Sequence, residues 1–161
     1  MKIKDSGNRT EFESGAVRDI QGGKGRFDLV PLDVMSYYFR DNDFINGVLF
    51  YINKFRILSD TDCLFRAMEI FNQQCWNSHI TMFLEVAKHF EEGSAKYGEH
   101  NWQKGIPVHS FIDSAIRHYM KWLRGDKDEP HDRAFVWNIM CAVWTMWNKP
   151  ELDDFTEREE E

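Results

Sequence analysis

Apolar residues recur every three to four positions from residue 31 to residue 147, and this period constrains the fold more than any other feature of the sequence. It is clearest between residues 110 and 124, where one face of a helix would carry Phe111, Ala115, Ile116, Tyr119, Met120 and Leu123. Capping residues and glycines separate the periodic segments, as at Ser59-Asp60-Thr61-Asp62, Asn77-Ser78, Gly98 and Gly125. The spacing predicts an all-α fold, with two or three helices up to residue 76 and three after it. Residues 44–58 fit either a strand or a helix, and we interpret them as a helix.

The amount of apolar sequence is sufficient for one domain. With 161 residues, of which 42% are hydrophobic, the chain can bury one sizeable core, which we assign to residues 28–149. Residues 1–27 carry half of the glycines and no helical period, so they predict an irregular arm that packs on the functional site. Residues 150–161 are acidic and predict a solvated tail.

Composition excludes several classes of protein. A net charge of −7 argues against direct binding to a nucleic-acid backbone. No apolar run is long enough to span a bilayer, and the first residues lack the apolar core of a signal peptide, so we expect no membrane contact and a cytoplasmic location. Cys63, Cys75 and Cys141 are odd in number and lack a CxxC pattern, which argues against a disulfide framework or a zinc cage.

The loop before the last predicted helix concentrates residues that ligate metals. Five of its positions are potential ligands: Asp126, Asp128, Glu129, His131 and Asp132. A neighbouring helix that ends near Glu91 and Glu92 could bring two more carboxylates to the same ion. A ligand set made mostly of oxygen favours Mg²⁺ or Mn²⁺ over zinc, and such ions are commonly shared with substrate phosphates. We therefore expect a divalent-metal site that handles phosphates.

Basic residues in two parts of the sequence could hold a phosphate chain. Lys24 and Arg26 lie in the glycine-rich arm, where backbone N–H groups can approach an anion closely. A mobile, solubilising tail explains the same residues equally well. Lys96 and Arg117 are the candidates outside the arm.

Two polar residues in predicted helices have two interpretations each. His118 is either a hydrogen-bonded structural histidine or an acid, base or ligand. Asn138 lies in the most apolar helix and is either a satisfied buried amide or a site residue. The residues alone leave both alternatives open.

Several blocks of residues, taken together, resemble one family. They are Ser14-Gly15-Ala16-Val17-Arg18-Asp19, Gly23-Lys24-Gly25-Arg26-Phe27-Asp28-Leu29-Val30-Pro31, Lys96-Tyr97-Gly98 with Asn101-Trp102, Asp113-Ser114-Ala115 with Arg117-His118, and His131 with Trp137-Asn138. In this order they resemble the phage dATP/dGTP diphosphohydrolase domain, a family likened to the MazG-type all-α nucleotide pyrophosphohydrolases.

The resemblance implies a MazG-like helical bundle and a set of site residues. It implies hydrolysis of dATP or dGTP to the monophosphate and pyrophosphate with Mg²⁺ or Mn²⁺, by a homo-oligomer in the cytoplasm of a phage-infected bacterium. The implied catalytic residues are Glu92, His118 and Glu129. The implied substrate-binding residues are Arg18, Lys24, Arg26, Lys96, Tyr97, Asn101, Trp102, Arg117 and Asn138. The implied metal ligands are Glu91, Glu92, Asp126, Glu129, His131 and Asp132.

The sequence departs from the MazG-type pattern, in which a pair of helices offers an EExxE cluster and an ExxD cluster to the metal. Glu91-Glu92 is followed by Gly93-Ser94-Ala95, so the third acid of EExxE is missing. Residues 129–132 fit ExxD, but Pro130 places Glu129 before the helix. Residues 32–76 exceed what a minimal domain of this type needs, and they predict an added helical segment or a dimer layer.

Two other functions remain open. One is a catalytically inactive helical module that binds a nucleotide or a protein. The other is a phosphohydrolase of the HD type, because His118 and the pair His131-Asp132 resemble HD-type metal sites. The sequence does not decide the preferred base, the number of metal ions, the general base or the oligomeric state.

Overall fold

The structure is a computed structural model that describes residues 5–155. Within this range the chain forms a short antiparallel pair of strands, β1 (Arg9–Glu11) and β2 (Val17–Asp19), followed by six α-helices. The helices are α1 (Leu32–Tyr38), α2 (Asp43–Leu58), α3 (Thr61–Cys75), α4 (His79–Tyr97), α5 (Val108–Arg124) and α6 (His131–Asn148). The predicted all-α class is confirmed, and residues 44–58 are helical.

The helix ends follow local capping chemistry. The side chain of Ser78 accepts a hydrogen bond from the backbone N–H of Thr81 at 3.2 Å and begins α4. Gly98 and Gly125, with φ of +92° and +86°, end α4 and α5 as predicted. Helix α6 begins at His131, directly after Pro130, so Asp132 lies in its first turn. Proline lacks a backbone N–H and has a suitable φ, so it fits a helix start without a side-chain cap.

Helices α5 and α6 form the centre of the core. Phe71 on α3, Tyr119 on α5 and Phe135 on α6 are fully buried, and the ring centroids of Phe71 and Phe135 lie 4.5 Å apart. Burial of such aromatic side chains contributes roughly 1.5–3 kcal/mol each. This aromatic cluster fixes α3 against the α5–α6 pair and leaves the other side of that pair to α4 and the arm.

The glycine-rich arm holds more regular structure than its sequence indicates. Gly15, with φ of +77°, turns the chain between β1 and β2, and the backbone N–H of Phe12 donates to the carbonyl of Ala16 at 2.9 Å. The Asn101 side chain then bonds both backbone groups of Val17, at 2.9 and 2.8 Å. Strands of three residues are too short for an alternating pattern to be recognised.

Residues 32–76 form a helical layer that shares the core. Phe55 and Phe71 from this layer are fully buried, and the Arg56 guanidinium donates to the carbonyls of Val30 and Asp28 at 3.0 and 2.7 Å.

None of the described helices combines the length and apolarity needed to cross a bilayer.

The chain after α6 turns back onto the domain. The backbone N–H of His109 donates to the Asp154 carboxylate at 3.0 Å, and Phe155 is only 4% exposed. A solvated tail from residue 150 was the expectation, but this aromatic residue holds the first part of the tail in place. Residues 156–161 lie outside the described residues.

Candidate functional site

A cavity of about 790 Å³ lies between the arm, α4, the loop after α4, α5 and α6. Small-molecule sites commonly have volumes of about 300–1,000 Å³. The arm closes one side of this cavity, because Val17, Arg18 and Asp19 line it together with Gly23 and Lys24. The cavity therefore has the size of a nucleotide site, and its walls come from distant parts of the sequence.

Among residues 5–155, five cationic side chains line the cavity. They are Arg18 and Lys24 from the arm, Lys96 from α4, and Arg117 and Lys121 from α5. Burial lowers the pKa of Arg18 to about 10, and the nearby Arg117 adds to this effect. The Arg18 guanidinium thus remains charged at neutral pH. Like charges held this close make the wall suited to an anionic ligand.

Arg18 is positioned by polar contacts and by aromatic rings. Its Nη2 donates to Ser114 Oγ at 3.1 Å and to Asn138 Oδ1 at 2.8 Å. The guanidinium carbon lies 5.0 Å from the ring centroid of Phe111, a distance typical of a cation–π contact. Asn138 also donates from Nδ2 to the carbonyl of Ala134 at 2.8 Å. Asn138 is therefore a satisfied buried amide that also orients a cavity side chain.

Arg117 ties the arm to α5. Its Nη1 donates to Asp113 Oδ2 at 2.7 Å, and its Nη2 donates to Ser114 Oγ at 2.9 Å. The other oxygen of Asp113 accepts the backbone N–H of Phe27 at 2.6 Å. One buried hydrogen-bond network thus fixes both the orientation of the Arg117 guanidinium and the path of the arm across the site.

Aromatic side chains also line the cavity. Phe90, Trp102 and Trp137 line it, and the ring centroids of Phe90 and Trp102 lie 5.6 Å apart. Tyr97 also lines the cavity, with Lys96 Nζ 5.0 Å from its ring centroid. Aromatic and cationic walls in one cavity are suited to a ligand that has both a flat ring and negative charge.

A cluster of three potential metal ligands lies at the cavity wall. His118 Nδ1 and His131 Nδ1 are 3.0 Å apart, and Glu129 Oε1 is 3.8 Å from each of them. His118 and Glu129 line the cavity, whereas the side chain of His131 is 1% exposed. Burial, followed by the neighbouring His131, holds the pKa of His118 well below its usual value. His118 is therefore neutral at physiological pH.

A second cluster shares one member with the first. Asp126, Asp128 and His131 also bring ligand atoms within 4.8 Å of one another. Asp126 accepts a hydrogen bond from Arg124 Nε at 2.8 Å, and Asp128 Oδ1 lies 2.8 Å from His131 Nε2. The carboxylates of this second cluster are thus already paired, Asp126 with Arg124 and Asp128 with His131.

The other acids proposed as ligands are dispersed. Glu92 is paired with Arg133 at 3.4 Å and is not among the described residues that line the cavity. Glu91 is exposed and lines the cavity, and Asp132 Oδ1 accepts the backbone N–H of Arg133 at 2.8 Å. Among the described residues, an oxygen cage for Mg²⁺ is thus not assembled, and the cluster that fits a cation contains two nitrogens and one oxygen.

The helices that line the cavity lie in a stretch of sequence that matches a known protein family. A family model described as dATP/dGTP diphosphohydrolase, N-terminal, matches residues 69–155, which is more than half of the chain. The chain belongs to this family. The resemblance noted in the sequence is thereby confirmed. No curated protein and no solved structure matched the chain.

The family match covers α4 to α6 and leaves out the arm, α1 and α2. Six residues predicted to bind the substrate lie in the matched region and line the cavity: Lys96, Tyr97, Asn101, Trp102, Arg117 and Asn138. Arg18 and Lys24 line it from the unmatched arm, where Lys24 Nζ lies 2.8 Å from Asp19.

Two of the named residues have other contacts. Arg26 is largely exposed and is not among the described residues that line the cavity. Its guanidinium beside Asp28 holds the pKa of the Asp28 carboxyl below its usual range. Asn101 lines the cavity, but its amide is engaged with Val17 of the arm. Asn101 therefore holds the arm in place, whereas Arg26 is paired with a near neighbour in sequence.

Some cavity residues were not identified from the sequence. Lys121 and Ser114 lie one turn to either side of Arg117 on α5 and line the same cavity. The helical period places residues three and four apart on one face, so this signal was present. His89 on α4 also lines the cavity and carried no comparable signal, because its neighbours in sequence are apolar or exposed.

Proposed function

We propose that the protein hydrolyses purine deoxynucleoside triphosphates, dATP or dGTP, to the monophosphate and pyrophosphate in a reaction that depends on a divalent metal ion. The proposal is carried by one observation: a cavity with cationic and aromatic walls opens onto a cluster of two histidines and a glutamate in a chain of this family. The family description supports the reaction and the purine substrate.

The cationic wall would hold the triphosphate. Lys24, Lys96 and Lys121 present ammonium groups, and Arg117 presents a guanidinium already oriented by Asp113 and Ser114. Such groups neutralise phosphate charge and stabilise the extra charge that develops as a phosphoryl group is attacked. The bond that breaks lies between the α-phosphorus and the oxygen that bridges it to the β-phosphate, and pyrophosphate leaves.

The aromatic wall would receive the base. Phe90, Trp102 and Trp137 offer ring faces and edges on which a purine can stack. Stacking of this kind contributes about 1–3 kcal/mol per base and is tolerant of base identity. The larger purine ring gains more contact than a pyrimidine would, which supports purine triphosphates as the substrate class.

His118 Nδ1, His131 Nδ1 and Glu129 Oε1 would hold the metal ion. A divalent ion, Mg²⁺ or Mn²⁺, supplies Lewis acidity toward the phosphoryl oxygens and the attacking water. The protein itself provides a partly enclosed cavity, in which electrostatic contacts are stronger than in bulk water.

A homo-oligomer is also part of this proposal. Ile80, Phe83 and Leu84 on α4 are 73%, 48% and 64% exposed, and they lie within one turn of each other. Clusters of large exposed apolar side chains commonly mark protein interfaces. A second copy of the chain is the partner that we propose for this face.

One observation favours a second candidate function. Both His118 and His131 belong to the ligand cluster, and His131 is followed by Asp132, so that these residues resemble an HD-type metal site. An enzyme of that type would release inorganic triphosphate or phosphate. The phosphate product therefore separates the two candidates.

A panel of dNTPs and NTPs with Mg²⁺ or Mn²⁺, followed by separation of the phosphate products, tests the proposal. We expect turnover of dATP and dGTP with release of pyrophosphate. Release of triphosphate or phosphate would favour the second candidate. Tight nucleotide binding without any product, at high protein and metal concentrations, would instead identify an inactive binding module.

A further inference from the structure

We propose that His118, Glu129 and His131 form a mixed nitrogen and oxygen centre that selects a first-row transition-metal dication, such as Mn²⁺ or Co²⁺, over Mg²⁺. This inference deepens the proposed function, because it names the class of ion at the same site. The choice of metal ion is tested without nucleotide, so it can be refuted while the proposed hydrolysis still stands, and the reverse is also true.

The distances within the cluster match a shared ion. His118 Nδ1 and His131 Nδ1 are 3.0 Å apart. Two imidazole nitrogens that each lie about 2.1 Å from one ion, at right angles, are about 3.0 Å from each other. Glu129 Oε1, at 3.8 Å from both nitrogens, is close enough to complete a three-ligand set after a small rotation of its side chain.

A carboxylate behind the cluster sets the protonation of one ligand. His131 Nε2 lies 2.8 Å from Asp128 Oδ1, so the ring donates its Nε2–H to this carboxylate. The Nδ1 atom of His131 then carries a lone pair directed at His118 and Glu129. Metal-bound histidines characteristically have such a carboxylate partner on their other nitrogen.

Without an ion, the same contact is a hydrogen bond from the Nδ1–H of His118 to His131 Nδ1. In that state the imidazole pair has only one proton between two nitrogens, and the Glu129 carboxylate faces both rings. When the His118 ring carries its proton on Nε2 instead of Nδ1, two lone pairs and one carboxylate oxygen converge. These three atoms are the donor set of a metal centre.

The donor types decide between ions. Mg²⁺ requires nearly octahedral oxygen ligands and seldom accepts imidazole, whereas imidazole suits the first-row transition metals. The carboxylates that could have formed an oxygen set are engaged elsewhere: Glu92 with Arg133 at 3.4 Å and Asp126 with Arg124 at 2.8 Å. The ligands that remain together favour a transition-metal ion.

The position of the cluster gives an ion access to the cavity. His118 and Glu129 line the cavity, and the side chain of His131, 1% exposed, supports them from behind. An ion held by these three atoms would keep coordination positions open toward the cavity. Open positions are characteristic of catalytic rather than structural metal sites.

Metal binding to the protein alone tests this inference. Protein stripped with a chelator would be titrated with Mn²⁺ and followed by electron paramagnetic resonance, with Mg²⁺ as competitor, and with Co²⁺ followed by visible absorption. We expect Mn²⁺ to bind at one site per chain, millimolar Mg²⁺ to displace little of it, and Co²⁺ to give the absorption bands of nitrogen ligation. Binding of Mg²⁺ as tight as that of Mn²⁺ would overturn the inference.

Variants assign the site to these residues. Glu129→Gln and His131→Gln should each weaken Mn²⁺ binding by more than about tenfold, and Asp128→Asn by about tenfold, the range reported for partners of metal ligands. His79→Gln is the matched control, because His79 is an exposed histidine that is also paired with a carboxylate, Glu69. It should bind Mn²⁺ like the parent protein.

Circular dichroism would establish that each variant is folded. If His131→Gln does not fold, Glu129→Gln carries the test, because Glu129 lies in the loop before α6 and is partly exposed. Unchanged Mn²⁺ affinity in a folded Glu129→Gln protein would overturn the assignment. Turnover supported by Mg²⁺ alone, with no Mn²⁺ site, would refute this inference and leave the proposed function standing.

Discussion

Single charged residues determine which ligand the cavity can hold. Arg18 is largely enclosed, one of its terminal nitrogens is buried without a hydrogen-bond partner among the described residues, and burial lowers its pKa to about 10. Its position is set by Ser114 and Asn138, which are distant in sequence. The basic side chains therefore act as a prearranged set.

Lys96 tests the cationic wall with one substitution. Lys96→Met should raise KM for the triphosphate by about tenfold, since loss of one charge contact of roughly 1.4 kcal/mol corresponds to that factor. Its long apolar stem is replaced by a similar one, so stability should change little. Steady-state kinetics provide the measurement.

The control for this substitution lies on the same helix. Lys88 is an exposed lysine of α4, paired with Glu85, and it is not among the described residues that line the cavity. Lys88→Met should leave KM unchanged. If the two substitutions raised KM equally, Lys96 would contribute only to the overall positive charge of the helix and would not contact the triphosphate directly.

At the scale of elements, Gly105 is where three parts of the chain meet. Its φ is +128°, and a Cβ added there would lie 3.1 Å from Leu152 and 3.2 Å from Ser14. Gly105 thus joins the arm, the loop after α4 and the segment after α6. A side chain would introduce both backbone strain and crowding.

Gly105→Ala should destabilise the protein by about 1–3 kcal/mol, the cost of a strained backbone conformation. Gly93→Ala is the matched control, because Gly93 lies inside α4 and an added Cβ meets nothing within 4 Å. It should stabilise by about 0.5–1 kcal/mol. Urea unfolding of both proteins gives the comparison, and a stabilised Gly105→Ala variant would contradict this account of the junction.

His89 couples the stability of α4 to pH. Burial, and then Arg133 and Lys96, lower its pKa to about 3, and its Nδ1 is buried without a hydrogen-bond partner among the described residues. In the unfolded chain the pKa of a histidine is about 6.5. Between these two values the unfolded state binds the proton and the folded state does not, so stability falls as pH falls below about 6.5.

The contribution of His89 is at most about 1.4 kcal/mol per pH unit, the value for one proton. His89→Leu should remove it, so the free energy of unfolding of this variant should fall less between pH 7 and pH 5 than that of the parent. Urea unfolding in the presence of a chelator would measure both. Parallel pH profiles for the two proteins would show that His89 does not titrate as described.

The sequence predicted the helices well because each carries its own signals. Caps at Asp60 and Ser78 and glycines at the ends of α4 and α5 act within one turn, so they can be recognised locally. The metal ligands were harder to predict. Glu91 and Glu92 were predicted as ligands because a neighbouring helix could bring them to the same ion, but Arg133 from α6 pairs with Glu92.

The cavity depends on contacts that no local pattern contains. The Asn101 amide bonds the backbone of Val17, and Asp113 bonds the backbone of Phe27. These contacts bring the arm over α5, and they span more than eighty residues of sequence. The family resemblance linked the arm to the site, whereas the residues alone were equally consistent with a solubilising tail.

At the scale of the whole molecule, the exposed apolar face of α4 supports the proposed homo-oligomer. Ile80 and Leu84 lie one turn apart and are 73% and 64% exposed. A double substitution, Ile80→Glu with Leu84→Glu, should convert a homo-oligomer into a monomer without loss of folding, because neither side chain belongs to the core. Light scattering coupled to size-exclusion chromatography measures the mass. A parent protein that is monomeric at tens of micromolar would refute this proposal.

The central claim is that the cavity cleaves a purine deoxynucleoside triphosphate between its α- and β-phosphates. Phosphorus NMR of dGTP or dATP that has been incubated with the protein and Mn²⁺, recorded after the paramagnetic Mn²⁺ is removed on a chelating resin, tests it most directly, since it identifies each product without a coupling enzyme. We expect pyrophosphate and the nucleoside monophosphate to appear together in equal amounts. Orthophosphate with the diphosphate, triphosphate with the nucleoside, or an unchanged substrate spectrum would contradict it.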